Sequence, residues 1–524
     1  MTKQSFIKGT MILLAAGMIN RILGFVPRIM LPRIIGAEGI GLYQMGYPFL
    51  IVIITIVTGG IPLAIAKLVA ESESKGERDR SKSILFVSLC LTTTLSTLFT
   101  IFCFIAAPWI TNHLLTDERV FYTFLSMSPI ILFVSISAVF RGYFQGLHNM
   151  IPTAVSSITE TIVRSVTMLL FSYIVLPYGV EYAAAAAMIG VVLGEIAGMC
   201  ILLGKYKNNH NRRSQVFEYN KTKFSKDQKD HLANLKEMMR ISVPVTASKL
   251  VGSGSYFLES IMIVQSLAIA GIATKVATAQ YGMLQGMVIP ILLLPSALTY
   301  SLSVSLVPSL SEAAANGDMK TIHKRLHQSL RLALVTGAPF IIIMYFLADP
   351  LCSFLYGENN EVGAMLKMMA PAAIFIYFQA PLQATLQALN KAGTALLNTF
   401  IGASIKLTLI YILAAKLEMG ILGALIAISI NIMLVTLLHL RSVMNYLKFY
   451  MKFLDFIKVG IGGFAMSVII LFMMQQSWIQ SNLVQFLFTC TLSISTYLLV
   501  IVWLKLIDRY DLVRIPWIGK YFSK

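Results

Sequence analysis

Apolar runs of about 20 residues, the length an α-helix needs to cross a bilayer, recur along the whole chain. They fall near 8–30, 40–70, 83–108, 120–140, 152–177, 182–204, 240–270, 279–310, 328–348, 364–388, 394–415, 420–440, 455–474 and 483–506. This pattern predicts an all-α polytopic membrane protein with about 14 transmembrane helices. The polar connections test that count, because cytoplasmic loops collect Lys and Arg. One set of alternate connections holds 31 of the 42 basic residues, the other holds 5 (Arg33, Arg119, Lys275, Lys367 and Lys416), and 6 fall inside spans. Such an asymmetry places both termini in the cytoplasm. Arg141 is counted here as the only basic residue of the connection after the fourth span.

The chain also repeats itself. "KLVAESESKGERDRSKSI" (67–84) aligns with "PSLSEAAANGDMKTIHKR" (308–325), pairing Glu71 with Glu312 and Gly76 with Gly317. "QGLHNMIPTAVSSITETIVR" (145–164) aligns with "QALNKAGTALLNTFIGASIK" (387–406), so Arg164 falls on Lys406. The two offsets, 241 and 242, are nearly equal. An even number of spans per copy makes this a parallel repeat about an axis along the membrane normal. The reading is therefore two parallel six-helix lobes around a central cavity, 1–204 and 237–442. A cytoplasmic linker at 205–236 separates them, and 443–524 adds two C-terminal helices and a basic cytoplasmic tail. Spans two and eight both carry Gly and Pro (Pro48, Gly59, Gly60, Pro62; Gly282, Gly286, Pro290, Pro295). Interrupted helices at matching positions of two repeats point to a transport cavity.

Composition agrees: 57% of the 524 residues are hydrophobic and 13% charged, and the mean hydropathy is +0.75, whereas soluble domains carry about 25% charged residues. The net charge of +18 is spread in clusters between apolar runs. It therefore argues for contact with anionic membrane lipids, with no nucleic acid as partner. The five scattered cysteines show no disulfide or zinc spacing.

Charges inside the spans carry the functional signal, since a cation near the bilayer centre costs at least ~2.5 kcal/mol. Arg21 lies roughly 20 Å along span one, with Arg28 two turns further on the same face; Pro27 and Pro32 are expected to bend the helix there. Arg164, Lys249 and Lys406 sit near mid-span. Against these five stand Glu160, Glu195 and Glu259. Glu160 and Arg164, four apart, can pair on one helix, so for Arg164 an ion pair and a ligand contact both stay open. Arg33 suits either substrate or the outer interface. The net cationic set, Arg21, Arg28, Arg33, Arg164, Lys249 and Lys406 with Glu259 beside them, suits an anionic substrate whose phosphate oxygens match arginine forks.

Enzyme chemistry finds no support. His323 and His327 in "HKRLH" have metal-pair spacing but no third ligand, so a solvated face is expected and no metal, cofactor or catalytic residue is assigned. With no P-loop, the energy would come from a sodium or proton gradient, the membrane potential or the substrate gradient.

"KGTMILLAAGMINRILGFVPRIMLPRIIGAEGIGLY", "GIPLAIAKLVAESESKGE", "FRGYFQGLHNMIPTA" and "QALNKAG" together resemble the stage V sporulation protein B group. That group belongs with the polysaccharide exporters and lipid II flippases of the multidrug/oligosaccharidyl-lipid/polysaccharide exporter superfamily. The resemblance covers the whole chain. It implies two lobes around a cavity, with the last two helices forming a groove for a polyprenyl tail. It further implies export of an undecaprenyl-diphosphate-linked precursor by alternating access, with Arg21 and Arg33 as cavity arginines on the diphosphate. The setting implied is the bacterial cytoplasmic membrane, in peptidoglycan or spore-cortex assembly, with cell-wall synthases as candidate partners. The competing reading is a cation-coupled multidrug antiporter of the same superfamily, for which Glu195 and Glu259 would receive the cation; a membrane-embedded glycosyltransferase is a third.

Overall fold

A computed structural model describes residues 6–214, 227–357, 360–476 and 481–506. The middle of the predicted linker and the basic tail lie outside these. The helices in chain order are α1 (Phe6–Thr58), α2 (Ile61–Ser74), α3 (Arg78–His113), α4 (Val120–Met127), α5 (Ile130–Gly146), α6 (Ile151–Val175), α7 (Val180–Ser214), α8 (Asp227–Ile269), α9 (Thr274–Gly282), α10 (Ile289–Leu292), α11 (Ser296–Ala315), α12 (Met319–Phe346), α13 (Ala348–Tyr356), α14 (Asn360–Met369), α15 (Ala373–Ala388), α16 (Ala392–Ile410), α17 (Ile421–Leu447), α18 (Phe453–Met474) and α19 (Asn482–Trp503). No strand occurs among the described residues. Eleven helical runs among them are long and apolar enough to cross a membrane, which makes the protein an all-α multi-pass membrane protein. The first of these, Met11–Ser74, is 64 residues long, far more than one crossing needs. Predicted spans seven and eight coincide with α8 and with α9–α11, which are not among the eleven. Ser, Thr and Gly dilute their apolar content ("TASKLVGSGSYF", 246–257).

Two compact units divide the chain, Met1–Gly286 and Met287–Lys524. In the first, the expected bend at Pro27 and Pro32 gives way to helical φ/ψ through both prolines, and α1 leaves helical geometry only at Gly36, with φ 68°. A side chain is strained at that φ, so glycine marks the break. Span two is interrupted again at Gly59–Gly60, between α1 and α2. Its loose ends are held by α8: Thr246 Oγ1 accepts from Gly60 N at 2.9 Å, and Lys249 Nζ donates to the Gly59 carbonyl at 2.6 Å.

Without a hydrophobic drive between helices in lipid, small residues set how closely they pack. α7 repeats Gly190, Gly194 and Gly198 at four-residue spacing along one face. A Cβ at Gly190 would stand 2.4 Å from Met168 N, and one at Gly194 would stand 2.6 Å from Arg164 Cβ. The contact is sealed by Thr167 Oγ1 donating to the Gly190 carbonyl at 3.0 Å and Ser156 Oγ to that of Gly198 at 2.9 Å. α1 meets α9 in the same way, since a Cβ at Gly41 would lie 2.0 Å from the Thr278 carbonyl oxygen.

Beside that crossing sits a charged knot. Asp117, 3% exposed, accepts from Arg119 Nε at 3.0 Å and Nη2 at 2.9 Å, and from Thr278 Oγ1 at 2.7 Å. Arg119 Nη1 also pairs with Glu38, and Lys275 Nζ stands 3.5 Å from the second Glu38 oxygen. Burial pushes the Asp117 carboxyl up, but the hydrogen bonds and charge of Arg119 with the Thr278 hydroxyl outweigh it and hold the group below the usual carboxylate range. Arg119 is pushed up by the same pairing.

The ends of the predicted linker are helical, in α7 and α8, and the α8 end docks on α3. Arg80 Nη2 pairs with Glu237 at 2.8 Å, and Ser83 Oγ meets His231 Nδ1 at 2.7 Å. These contacts add a buried core of Ile65, Leu68, Leu85, Phe140, Phe144 and Met238.

In the second unit, span eight continues from a π-helical segment (Met283–Val288) into α10 and a turn before α11. Carbonyls freed there are taken by tyrosines: Tyr356 OH donates to Met287 O at 3.1 Å and Tyr377 OH to Leu292 O at 3.2 Å. α18 packs on α19 and α12, where Tyr497 OH donates to Val335 O at 2.9 Å. The "HKRLH" histidines, expected on a solvated face, are docked. His323 Nε2 donates to the Leu447 carbonyl at 2.7 Å, and His327 Nε2 lies 3.1 Å from Asp455 Oδ2. A helix face that meets a neighbour at each turn reads as solvated in one-dimensional sequence.

Two outcomes test this account. Gly190→Leu should lower stability in detergent by about 1–3 kcal/mol through overpacking, whereas Gly204→Ala, where a Cβ meets nothing within 4 Å, should leave it level or slightly raised; equal losses would refute the packing account. Because the folded-state Asp117 is depressed, its stabilisation is fully present above the ordinary carboxylate pKa and fades as pH falls through the lower folded value. Asp117→Asn should therefore cost about 1–3 kcal/mol at neutral pH, with a melting-temperature gap to wild type that narrows on acidification.

Candidate functional site

Six of the seven residues predicted for the site fall in the first unit and one, Lys406, in the second. On α1 the rotation of the helix is set by a side with Ala16, Pro27 and Leu31 buried. Asn20 lies on that side and donates from Nδ2 to Ser157 Oγ on α6 at 2.5 Å. Arg21 and Arg28 each follow a residue of that packed side, so a 100° step turns both away from it. Both are exposed, as is Arg33. Arg21 and Arg28 thus share one side of α1, while Arg33 lies about 140° further round the helix.

On α6, Arg164 is half-buried and donates from Nη1 to Glu160 Oε1 at 3.2 Å, the pairing its four-residue spacing predicts. The same carboxylate is claimed more closely from α5, where Arg141 Nη2 reaches Glu160 Oε2 at 2.6 Å. Arg141, counted as a loop residue from the sequence, is therefore helical and part of this cluster. The fourth span runs on through "FRGYFQG" to Gly146, past where hydropathy alone ends it. Tyr43 and Tyr47 on α1 lie in the electrostatic field of Arg164 and Arg28.

Glu195 on α7 joins the group from a third helix. It is 8% exposed, lies within hydrogen-bonding reach of Glu160, and its Oε2 has no hydrogen-bond partner. Its proximity to Glu160 is set by the Gly194 and Gly198 contacts, a signal present in the sequence as the GxxxGxxxG spacing around it.

Lys249 is committed to the Gly59 carbonyl. Glu259, 8% exposed, sits on α8 in the field of Tyr256 and Tyr281. Lys406 on α16 matches Arg164 on α6 as the repeat requires, but it is buried, 7% exposed. Its neighbour four residues back is Gly402, packed on Asn431 and Val435 of α17, where α6 has Glu160. The repeat preserves the cation and drops its acid. Among the described residues no three His, Cys, Asp or Glu side chains gather as a metal site.

The first unit thus presents cations on one open side of α1 and, between α5, α6 and α7, an acid–arginine cluster. Comparison with known proteins gives the chain a place. Residues 6–314 match the family described as polysaccharide biosynthesis protein, and residues 253–412 match the MatE family. The chain is 41% identical to stage V sporulation protein B of Bacillus subtilis (strain 168), with 99% of each chain covered. It is 25% identical to that organism's lipid II flippase MurJ, over 77% of this chain and 76% of the relative. Among solved structures, the fold resembles a lipid II flippase MurJ in an inward closed conformation, with a TM-score of 0.72 at 17% identity, covering 96% of this chain and all of that one. It also resembles an inward-facing multidrug resistance MATE family transporter, with a TM-score of 0.63 at 16% identity over 82% of this chain and 95% of that one. Family match, full-length relative and shared fold agree: this chain belongs to the polysaccharide biosynthesis protein family of membrane transporters, within the multidrug/oligosaccharidyl-lipid/polysaccharide exporter superfamily.

Proposed function

We propose that this transporter flips an undecaprenyl-diphosphate-linked cell-wall precursor, lipid II or a related lipid-linked oligosaccharide, across the bacterial cytoplasmic membrane by alternating access. The observation that carries the reading is the placement of Arg21 and Arg28 on the open side of α1, held there by the Asn20–Ser157 bond, with Arg33 exposed further along the helix. A diphosphate offers two adjoining anionic groups, and arginine forks bind such oxygens with paired, charge-assisted hydrogen bonds. In this reading Arg164 reaches the same headgroup from α6. Lys249 holds the break in span two, Glu259 belongs to the polar lining of α8, and Lys406 gives the second unit its buried cation. Both termini face the cytoplasm, and the basic clusters on that side rest on anionic lipid headgroups. An inside-negative membrane potential favours outward passage of the anionic headgroup. Lipid handling is supported by the relatives as well, since one of them is named a lipid II flippase. Supply and use of such a substrate would bring the protein beside cell-wall synthases.

Native mass spectrometry of the detergent-purified protein with lipid II tests this. Wild type should bind, and Arg21→Ala and Arg28→Ala should each weaken binding by about 10- to 100-fold, the loss of one charge-assisted contact of ~1.5–3 kcal/mol. Wild type that ignores lipid II but takes up an organic cation would replace the flippase with the antiporter reading.

A further inference from the structure

The geometry points to a proton-binding site in the first unit, formed by the carboxyls of Glu160 and Glu195, which takes up a proton when an anionic headgroup draws Arg164 away from Glu160. The second half of this inference rests on the flippase reading above; the site itself does not.

Three observations meet here. Glu195 is more than nine-tenths buried, and its Oε2 finds no hydrogen-bond partner. A bare carboxylate oxygen in that setting is costly, whereas a neutral carboxyl is tolerated. The two carboxyls lie close enough to interact. With Arg141 and Arg164 both on Glu160, two cations balance two carboxylates, and a hydrogen bond between the two acids closes only once one of them takes up a proton. Glycine packing makes the proximity unavoidable, because a Cβ at Gly198 would stand 3.1 Å from Glu160 Cβ.

The groups that face the pair fix its charge balance. From α5 comes Arg141, bonded to Glu160 at 2.6 Å; from α6 comes Arg164, bonded at 3.2 Å. From α1 comes Tyr47. The two arginines are not equal. Their side chains are about equally exposed, at 28% and 30%, but Arg141 makes the shorter bond and Arg164 the longer one. Arg164 is therefore the one an incoming anion can recruit. Once it turns to a phosphate oxygen, Glu160 keeps Arg141 alone. The pair, with one cation fewer, then binds a proton from solution to stay near neutrality. Anion and proton thus load together, and the anion's departure returns Arg164 to Glu160 and expels the proton.

Two readouts on the full-length protein in detergent separate the halves of this inference. Infrared spectroscopy should show a protonated carboxyl band at neutral pH in the lipid II complex that disappears in Glu195→Gln or Glu160→Gln; Glu195→Asp, which keeps an acid there, should retain a shifted band. No difference between wild type and both amide variants overturns the site. Lipid II affinity, read by native mass spectrometry between pH 6 and pH 8, should fall with rising pH by up to about tenfold per unit, and Glu195→Gln should flatten that dependence. A flat wild-type profile overturns the coupling. Failure of wild type to bind lipid II at any pH defeats the flippase reading instead. In that case the infrared band of the ligand-free protein at low and high pH still decides whether the carboxyl pair titrates.

Discussion

Glu160 is the centre on which the first unit turns. It accepts Arg141 from α5 at 2.6 Å and Arg164 from its own helix at 3.2 Å, with Glu195 of α7 against it. A bilayer tolerates such charges only when they compensate one another or line water. The three helices must therefore come close enough for short side-chain contacts, and the glycines of α7 exist in that sense for Glu160: any Cβ at Gly194 would collide with Arg164. The same approach that neutralises the acid leaves Arg164 half-buried.

Breaks in the helices follow a related rule. Wherever a membrane helix is interrupted, its freed backbone groups need partners. At Gly59–Gly60 these come from Lys249 and Thr246; around span eight they come from Tyr356 and Tyr377. Lys249, read from the sequence as a cation within a span, holds one of these backbone carbonyls. The two repeats meet the requirement with different residues, just as Arg164 has an acid four residues back and Lys406 has a glycine.

Much of the plan was legible in one dimension, because its cause is one-dimensional. Bilayer thickness dictates apolar run length, insertion dictates the asymmetry of Lys and Arg, and duplication leaves constant offsets. The Glu160–Arg164 pair was legible too, since both lie on one helix four residues apart. Arg141 was not: nineteen positions from Glu160, it looked like a loop residue once hydropathy faded. Nor were the docked histidines, whose partners Leu447 and Asp455 lie over a hundred residues away.

By itself, then, the sequence determined that this is an all-helical membrane protein and that it carries more cations than acids within its apolar runs. Those properties depend on composition and spacing along one chain. Which way each cation faces was decided by tertiary structure alone. The Asn20–Ser157 bond, with a buried alanine, proline and leucine, sets the rotation of α1 and turns Arg21 and Arg28 outward, while Lys249 is drawn to a carbonyl 190 residues away. A side chain's chemistry is written in its identity, but its partner is fixed only when helices far apart in sequence are brought within a few ångströms.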